Sequence, residues 1–299
     1  MDPLLQTNSK ITRRFQTRWK ISCFCTKKIS SPYIREFLAE TMGTFILLMF
    51  GVGSIAQVVL GKGKFGGILS INFGWAIGVM FGIYWSAGVS GGHLNPAVTL
   101  AMAVTKRLPW KKLPVYWIAQ SLGAFIASAV IYGVYYDMLN EYDGGVRKVD
   151  TAWIWTTRPS SGVSTVTTFV DQFVSSGLLV GIIFALTDKR NNAPSPRVLP
   201  LCVGIVVLGI GISFGLNCGY GINPARNLIP RLFTSIAGWK SAPLSYQNYY
   251  FWAPILAQLV GGVSGALLYI VTIEMHHNSK KEGQVILKEQ KNRLTEQPV

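Results

Sequence analysis

The stretch GVSGGHLNPAVTL at residues 88–100 and the stretch NCGYGINPARNL at residues 217–228 decide the fold. In each, glycines lead into Asn-Pro-Ala and a short apolar run follows. Asn is a favoured N-cap residue, and Pro suits the first helical position because its missing N–H would have no partner there. Each stretch therefore predicts a loop that becomes a helix at its Asn, which is Asn95 in the first and Asn223 in the second.

The composition and the long apolar segments predict an all-α membrane protein. Hydrophobic residues make up 49% of the 299 residues and charged residues only 14%, whereas soluble domains carry about 25% charged residues. A membrane helix needs about 20 mainly apolar residues. Six segments meet that length, at about residues 37–60, 68–89, 113–136, 169–187, 198–216 and 250–273.

The positive charge predicts the orientation of the chain and not a nucleic-acid partner. The net charge is +15, but the basic residues lie in the end segments and in short loops. Of the 28 Lys and Arg residues, 20 fall in the first 35 residues, the turn at 106–112, the loop at 189–197 and the last 20 residues. Cytoplasmic segments carry this excess, so a basic tail at 1–34 and a tail at 275–299 are both expected in the cytoplasm, beside membrane lipids.

The two motifs belong to a repeated unit. Asn95 and Asn223 are 128 positions apart, and similar apolar segments begin at Phe37 and Phe169, 132 positions apart. The membrane domain at 35–274 therefore divides into repeats at about 35–137 and 168–274. Each repeat has three spans, an odd number, so the second enters the membrane from the opposite side.

The short element after each Asn is too short to cross a bilayer. About ten apolar residues span roughly 15 Å, half of the hydrocarbon core. Two such half-helices from opposite faces would meet at the midplane with their N-termini together. The glycine-rich, non-helical segments directly ahead of Asn95 and Asn223 are here called the lead-ins. Non-helical backbone inside a membrane is tolerated only if it is buried in protein or lines a wet cavity. The pattern therefore predicts a pore or a binding site.

The chemistry expected at this midplane suits neutral molecules with hydroxyl groups. The cap uses the Asn side-chain oxygen, so the NH2 groups of Asn95 and Asn223 are expected to be free to donate. The helix N-termini and Arg226 add positive charge, which repels cations. Backbone carbonyls of the lead-ins are the expected acceptors. These belong to Gly91, Gly92, His93, Gly219, Tyr220 and Gly221.

The paired motifs on inverted repeats resemble the aquaporin (major intrinsic protein) family over about residues 35–273. The residues that carry the resemblance are Asn95, Pro96, Ala97, Asn223, Pro224 and Ala225. It implies six transmembrane helices plus two re-entrant half-helices in two inverted repeats. It also implies a homotetramer with one pore per subunit, and we expect it in the plasma membrane.

Within that family the chain is similar to the aquaglyceroporins. The resemblance places the selectivity filter on Trp75, Gly211, Tyr220 and Arg226. Water-only channels usually carry His at the Gly211 position, and Gly is expected to leave room for a carbon backbone. Further markers are Arg231, the Pro254–Ile255 pair and the segment RLFTSIAGW at 231–239. The expected function is passive passage of water, glycerol and other small neutral solutes, with ions and protons excluded.

Two positions depart from or vary the family pattern. The subfamily usually has Asp where this chain has Asn227, which removes a charge near Arg226. The resemblance assigns loop anchoring to Glu40 in the first repeat and to Gln172 in the second. Neither change removes a donor from the expected pore.

Three other functions were weighed. The runner-up is a mainly water-selective pore. An ion-coupled transporter would need titratable groups at the midplane, and Glu40 is the one acid expected to lie deep in a span. An enzyme is not expected, because the apolar spans hold no paired carboxylates, His-rich metal set or activated nucleophile. No catalytic residue, metal or cofactor is therefore predicted.

Cys23 and Cys25 are expected to be free thiols, and Cys218 is expected to be a core residue.

Overall fold

The structure, a computed structural model, describes residues 29–277, with Asn248 and Tyr249 described for their backbone alone. The expectations for Cys23, Cys25 and most of both tails lie outside these residues. Every regular element in the described part is helical. In chain order the α-helices are α1 (Pro32–Leu60), α2 (Ile68–Ser90), α3 (Pro96–Val104), α4 (Leu113–Val134), α5 (Tyr136–Asp143), α6 (Val149–Ala152), α7 (Thr165–Thr187), α8 (Leu199–Cys218), α9 (Pro224–Thr234), α10 (Ala242–Tyr249) and α11 (Trp252–Thr272).

Each of the six predicted spans is a helix long and apolar enough to cross a membrane. These are α1, α2, α4, α7, α8 and α11, with α4 and α11 extended by short 3-10 turns. The observed ends differ from the predicted ones by up to five residues. The largest difference is at α1, which begins at Pro32, since proline is well suited to the first turn of a helix. The fold is therefore the predicted all-α membrane architecture.

The two half-helices α3 and α9 begin at the two motifs. Asn95 and Asn223 have extended backbone, and each caps its helix with its side-chain oxygen. The nine residues of α3 span about 13 Å, less than half of a bilayer core. Both half-helices are thus too short to cross a membrane, as the sequence predicts.

The half-helices pack across the repeats. Helix α3 of the first repeat lies against α11, the last span of the second. Helix α9 of the second repeat lies against α4, the last span of the first. The second spans of the two repeats, α2 and α8, also pack together. Each repeat therefore completes the other around the middle of the molecule.

Ion pairs join the ends of the helices at one face. They are Lys112–Glu36, Arg107–Glu274 and Arg190–Glu274, and His277 Nε2 lies beside them, 3.0 Å from Asp188 Oδ2. These residues come from the start of α1, the turn after α3, the loop after α7 and the end of α11. An even number of spans brings both ends of the membrane-spanning part to the same face, and these contacts place them there.

The contact between α7 and α11 is built from glycines. Gly177 and Gly181 of α7 face Gly261 and Gly265 of α11, where added Cβ atoms would run into backbone of the opposite helix. Small residues allow such close approach of membrane helices. This contact holds together the first and third spans of the second repeat.

We expect Gly265→Ala to lower the apparent melting temperature of the purified protein, followed by tryptophan fluorescence in detergent. Its Cβ would collide with the backbone of Gly177, and overpacking of this kind costs roughly 1–3 kcal/mol. Gly133→Ala in α4 is the matched control, because a Cβ there meets no atom within 4 Å. Equal melting temperatures for the two variants would contradict the close contact.

Candidate functional site

The N-termini of the two half-helices are tied to each other by hydrogen bonds. Asn95 Nδ2 donates to the carbonyl of Ile222 at 2.8 Å, and Asn223 Nδ2 donates to the carbonyl of Leu94 at 2.8 Å. Each Asn oxygen accepts from its own helix, from the N–H of Ala97 in the first case. The expectation that both NH2 groups are wholly free is therefore wrong for one of the two N–H groups of each. The second N–H of each amide remains available as a donor.

Glu40 of α1 holds the first lead-in from behind. Its carboxylate accepts from the backbone N–H groups of His93 and Leu94 at 2.9 and 2.8 Å. Ser90 Oγ and Gln120 Nε2 also donate to it, at 2.6 and 2.8 Å. The side chain is fully buried. Two backbone N–H groups thus bind a single side chain, so Glu40 fixes backbone that has no helical partners.

Gln172 of α7 takes the corresponding place behind the second lead-in. Its Oε1 accepts from the N–H of Ile222 at 3.0 Å and from Gln258 Nε2 at 2.8 Å. A neutral amide has a donor end as well, and here Nε2 donates to Asp171 at 2.9 Å. Asp171 is 7% exposed and also accepts from Asn217 Nδ2. Asp171 thereby orients the amide so that its oxygen faces the lead-in.

Three residues of the lead-ins other than glycine have left-handed backbone. Leu94 has φ 53°, Tyr220 φ 33° and Ile222 φ 37°. Such conformations cost on the order of 1–3 kcal/mol each and persist where the surroundings impose them. Leu94 and Ile222 directly precede the motif asparagines, and their carbonyls receive the cross-repeat bonds. The strain therefore lies where the two repeats meet.

Two cavities meet at the centre of the molecule. The inner cavity, of about 240 Å³, holds Asn95 and Asn223 and extends along apolar side chains to Thr187 and Leu199. The outer cavity, of about 1050 Å³, opens between Trp153, Arg158, Ser160 and Tyr246 and the ends of α2 and α8. Three residues line both cavities, namely Trp75, Tyr220 and Arg226. We call these three the constriction.

Arg226 is the charged member of the constriction. It is 4% exposed, and its guanidinium carbon lies 4.5 Å from the centre of the Trp75 ring. Its Nη1 donates to the carbonyl of Trp155 at 3.2 Å. The stacking and this bond hold the guanidinium at the side of the passage and leave further N–H groups to donate.

Gly211 faces Tyr220, and the space beside it is filled. A Cβ at Gly211 would lie 2.8 Å from Tyr220 Cζ and 2.9 Å from Asn72 Oδ1. From the sequence, Gly211 is expected to leave room for a carbon backbone. In the structure that room is taken by the Tyr220 ring and the Asn72 amide, so the absence of a side chain at residue 211 gives the ring its place against α8.

The other predicted site residues lie around this centre. Gly91, Gly92, His93 and Gly221 line the inner cavity, and Gly219 lines the outer one. The remaining motif residues Pro96, Ala97, Pro224 and Ala225 form the first turns of α3 and α9 and are buried. The His93 ring lies 3.3 Å from Thr99 Oγ1 and packs on Tyr116.

Two residues of α9, Arg231 and Asn227, hold the segment around Thr157 in place. Arg231 is fully buried and donates to the carbonyls of Thr157 and Pro243. Asn227 Oδ1 accepts from the Thr157 hydroxyl at 3.0 Å. Asn227 therefore takes part in loop packing and does not line either cavity.

Several polar residues of the site are not predicted from the sequence. They are Asn72, Gln120, Asp171 and Gln258, together with the carbonyls of Leu94 and Ile222. The two glutamines could have been found, because a buried amide in an apolar span is rarely without a polar partner. Within residues 29–277 no group of three or more His, Cys, Asp or Glu side chains could hold a metal ion.

Comparison with known proteins gives a consistent result. The family model for the major intrinsic protein matches residues 27–269. Aquaporin-10 of Milnesium tardigradum is 46% identical over 280 residues, which cover 86% of this chain and 68% of that protein. Aquaporin-9 of Homo sapiens is 44% identical, covering 83% of this chain and 86% of that protein. The X-ray structure of the aquaglyceroporin from Plasmodium falciparum has a TM-score of 0.74 at 33% identity, over 81% of this chain and 97% of that one.

We expect Asp171→Leu to lower the water and glycerol permeabilities of reconstituted protein by similar factors. Without the carboxylate, half-buried Asn217 Nδ2 loses its acceptor and Gln172 Nε2 keeps only the weak acceptor Cys218 Sγ at 3.2 Å. A buried donor without a good partner costs about 1–3 kcal/mol, and the second lead-in loosens as a whole. Asp171→Asn keeps one acceptor and should be milder. Asp150→Asn, at an exposed position, controls for loss of charge. Full permeability of Asp171→Leu would refute the orienting role.

Proposed function

The chain belongs to the major intrinsic protein family, and we propose from that premise that it is a passive channel for water, glycerol and other small neutral solutes. It is an integral membrane protein with six membrane-spanning helices. The observation that carries the proposal is the constriction, whose residues Trp75, Tyr220 and Arg226 line both the outer cavity and the inner cavity that contains the paired asparagines.

The lining of the passage matches a hydroxylated solute. Arg226 and the remaining N–H groups of Asn95 and Asn223 donate. The acceptors are the lead-in carbonyls of Gly91, Gly92, His93, Gly219, Tyr220 and Gly221. The aromatic faces of Trp75 and Tyr220 and the apolar wall of the inner cavity, including Val79 and Ile183, meet the C–H side of the solute. A small polyol satisfies both kinds of surface, since its hydroxyl groups follow one wall and its carbon atoms the other.

The same lining disfavours cations. Among the described residues that line either cavity there is no carboxylate, and the charged ones are Arg158 and Arg226. The N-termini of α3 and α9 add partial positive charge at the centre. Glu40 lies behind the lead-in with all its bonds to protein donors. These features argue against an ion-coupled transporter and for exclusion of ions and protons.

The filter that separates glycerol channels from water-only channels consists of Trp75, Gly211, Tyr220 and Arg226. Their placement supports this assignment, because three of them form the constriction and Gly211 seats the ring of Tyr220. A side chain at residue 211 would push that ring toward Trp75 and narrow the passage. The same geometry disfavours a mainly water-selective pore.

The chain assembles as a homotetramer in the plasma membrane, with both termini in the cytoplasm. Many large apolar side chains on the outer faces of the spans are exposed in the single chain, among them Phe50, Phe81 and Trp85, as suits contact with lipid and neighbouring subunits. The basic loops share a face with the chain ends, which supports the orientation. The protein has no catalytic role in this proposal.

The decisive experiment is stopped-flow light scattering on proteoliposomes, with water and glycerol recorded side by side. Water and glycerol should both equilibrate faster than across protein-free vesicles. Fast water with glycerol no faster than in protein-free vesicles would overturn the glycerol proposal and favour the water-selective alternative.

We expect Gly211→Val to reduce glycerol permeability about tenfold, the size of effect that a methylene group has in a tight site, and water permeability much less. The added carbons displace the Tyr220 ring into the passage. Gly209→Val is the matched control in the same helix, where a Cβ meets no atom within 4 Å. Equal losses of the two fluxes in a correctly inserted Gly211→Val protein would count against the filter assignment.

A further inference from the structure

Asn72 is a buried amide one turn before Trp75 in α2. It is 2% exposed, and its Oδ1 accepts a short hydrogen bond from the hydroxyl of Tyr220. It also lines the outer cavity beside the constriction. This bond joins the second span of the first repeat to the lead-in of the second, beside the constriction.

The ring of Tyr220 lies on a surface made of two glycines. A Cβ at Gly211 would lie 2.8 Å from Cζ of the ring, and a Cβ at Gly215 would lie 3.3 Å from its Cδ1. These glycines are one turn apart on α8. The ring therefore rests against bare helix backbone, with its hydroxyl directed to Asn72.

The backbone of Tyr220 alone does not hold the ring in this place. Its φ of 33° is a strained value for a residue with a side chain, and its neighbours Gly219 and Gly221 place no side chain beside it. The ring borders both cavities. A buried tyrosine hydroxyl that lacks a partner costs free energy. Without Asn72, a position of the ring in which the hydroxyl binds water in the passage is therefore more favourable.

We propose that Asn72 is a specificity-determining residue of this channel, which acts by holding the Tyr220 ring on Gly211 and Gly215 so that the passage stays wide enough for glycerol. The inference rests on the proposed function and adds a fifth residue to the filter. Asn72 is a positioning residue, because it acts through Tyr220. Gly211 provides the space for the ring, and Asn72 keeps the ring in that space.

The test compares three variants by their ratio of glycerol to water permeability in proteoliposomes with measured protein content. Asn72→Leu keeps the approximate size but leaves the tyrosine hydroxyl without its acceptor, and the ratio should fall roughly two- to tenfold, as expected for the loss of one buried hydrogen bond. Tyr220→Phe removes the hydroxyl, so the ring carries no polar group that water in the passage could stabilise; it should stay packed on Gly211 and Gly215 and change the ratio little. The double variant has no hydroxyl in search of a partner, so its ratio should return close to that of the unchanged protein.

The rescue by the double variant distinguishes positioning from packing. If Asn72 only filled space, the double variant would be as impaired as Asn72→Leu, and that result would overturn the proposal. An unchanged ratio in Asn72→Leu would also overturn it. Asn72→Ala serves the same comparison if Asn72→Leu does not insert into the vesicles.

Two controls separate this inference from the proposed function. Asn191→Leu breaks another Asn–Tyr contact, in which Asn191 Nδ2 donates to Tyr269 at 3.2 Å near the opposite end of the molecule, and its ratio should be unchanged. The unchanged protein reports on the function itself. If it conducts no glycerol, the proposed function fails; if it conducts glycerol and Asn72→Leu retains the full ratio, the role of Asn72 alone fails.

Discussion

The architecture depends on the exchange of hydrogen bonds between the two motif asparagines and the two lead-ins. Asn95 binds the carbonyl of Ile222, and Asn223 binds the carbonyl of Leu94. These bonds join two helix N-termini, whose partial positive charges repel each other, and they give non-helical backbone in the middle of the membrane domain its partners. The position of the cavities and of Arg226 relative to each other follows from this junction.

The repeats support their lead-ins by different chemistry in the same place. The first repeat uses a carboxyl side chain, Glu40, with four donors around it. The second uses a neutral amide, Gln172, which the neighbouring Asp171 orients. The difference extends to the lead-ins. Gly221 corresponds to His93, and a Cβ at residue 221 would lie 2.8 Å from Gln258. Each anchor is thus fitted to the residues in front of it.

Periodicity and local chemistry made most of the fold predictable. Six apolar segments of sufficient length and two Asn-Pro caps specify their helices almost alone, because length and capping are local properties. The pairing of Asn72 with Tyr220 was not predictable, since residues 148 positions apart meet there and an Asn in a span can have many partners. The contact between Gly211 and the Tyr220 ring was not predictable either, because a sequence does not show which group occupies the space beside a glycine.

The packing of each half-helix on the other repeat has a consequence for biosynthesis. The partner of α3 is α11, which begins at Trp252, about 150 residues after α3 ends. At about 5–20 residues per second, the ribosome reaches that partner several seconds or more after α3 has been made. For most of this interval the first motif lacks its hydrogen-bonding counterpart at Ile222 and Asn223. For all of it α3 lacks α11, and its contacts are limited to earlier helices such as α4 and α7. The first repeat is therefore not an autonomous folding unit, and its re-entrant segment reaches its final place only when synthesis of the membrane domain is nearly complete.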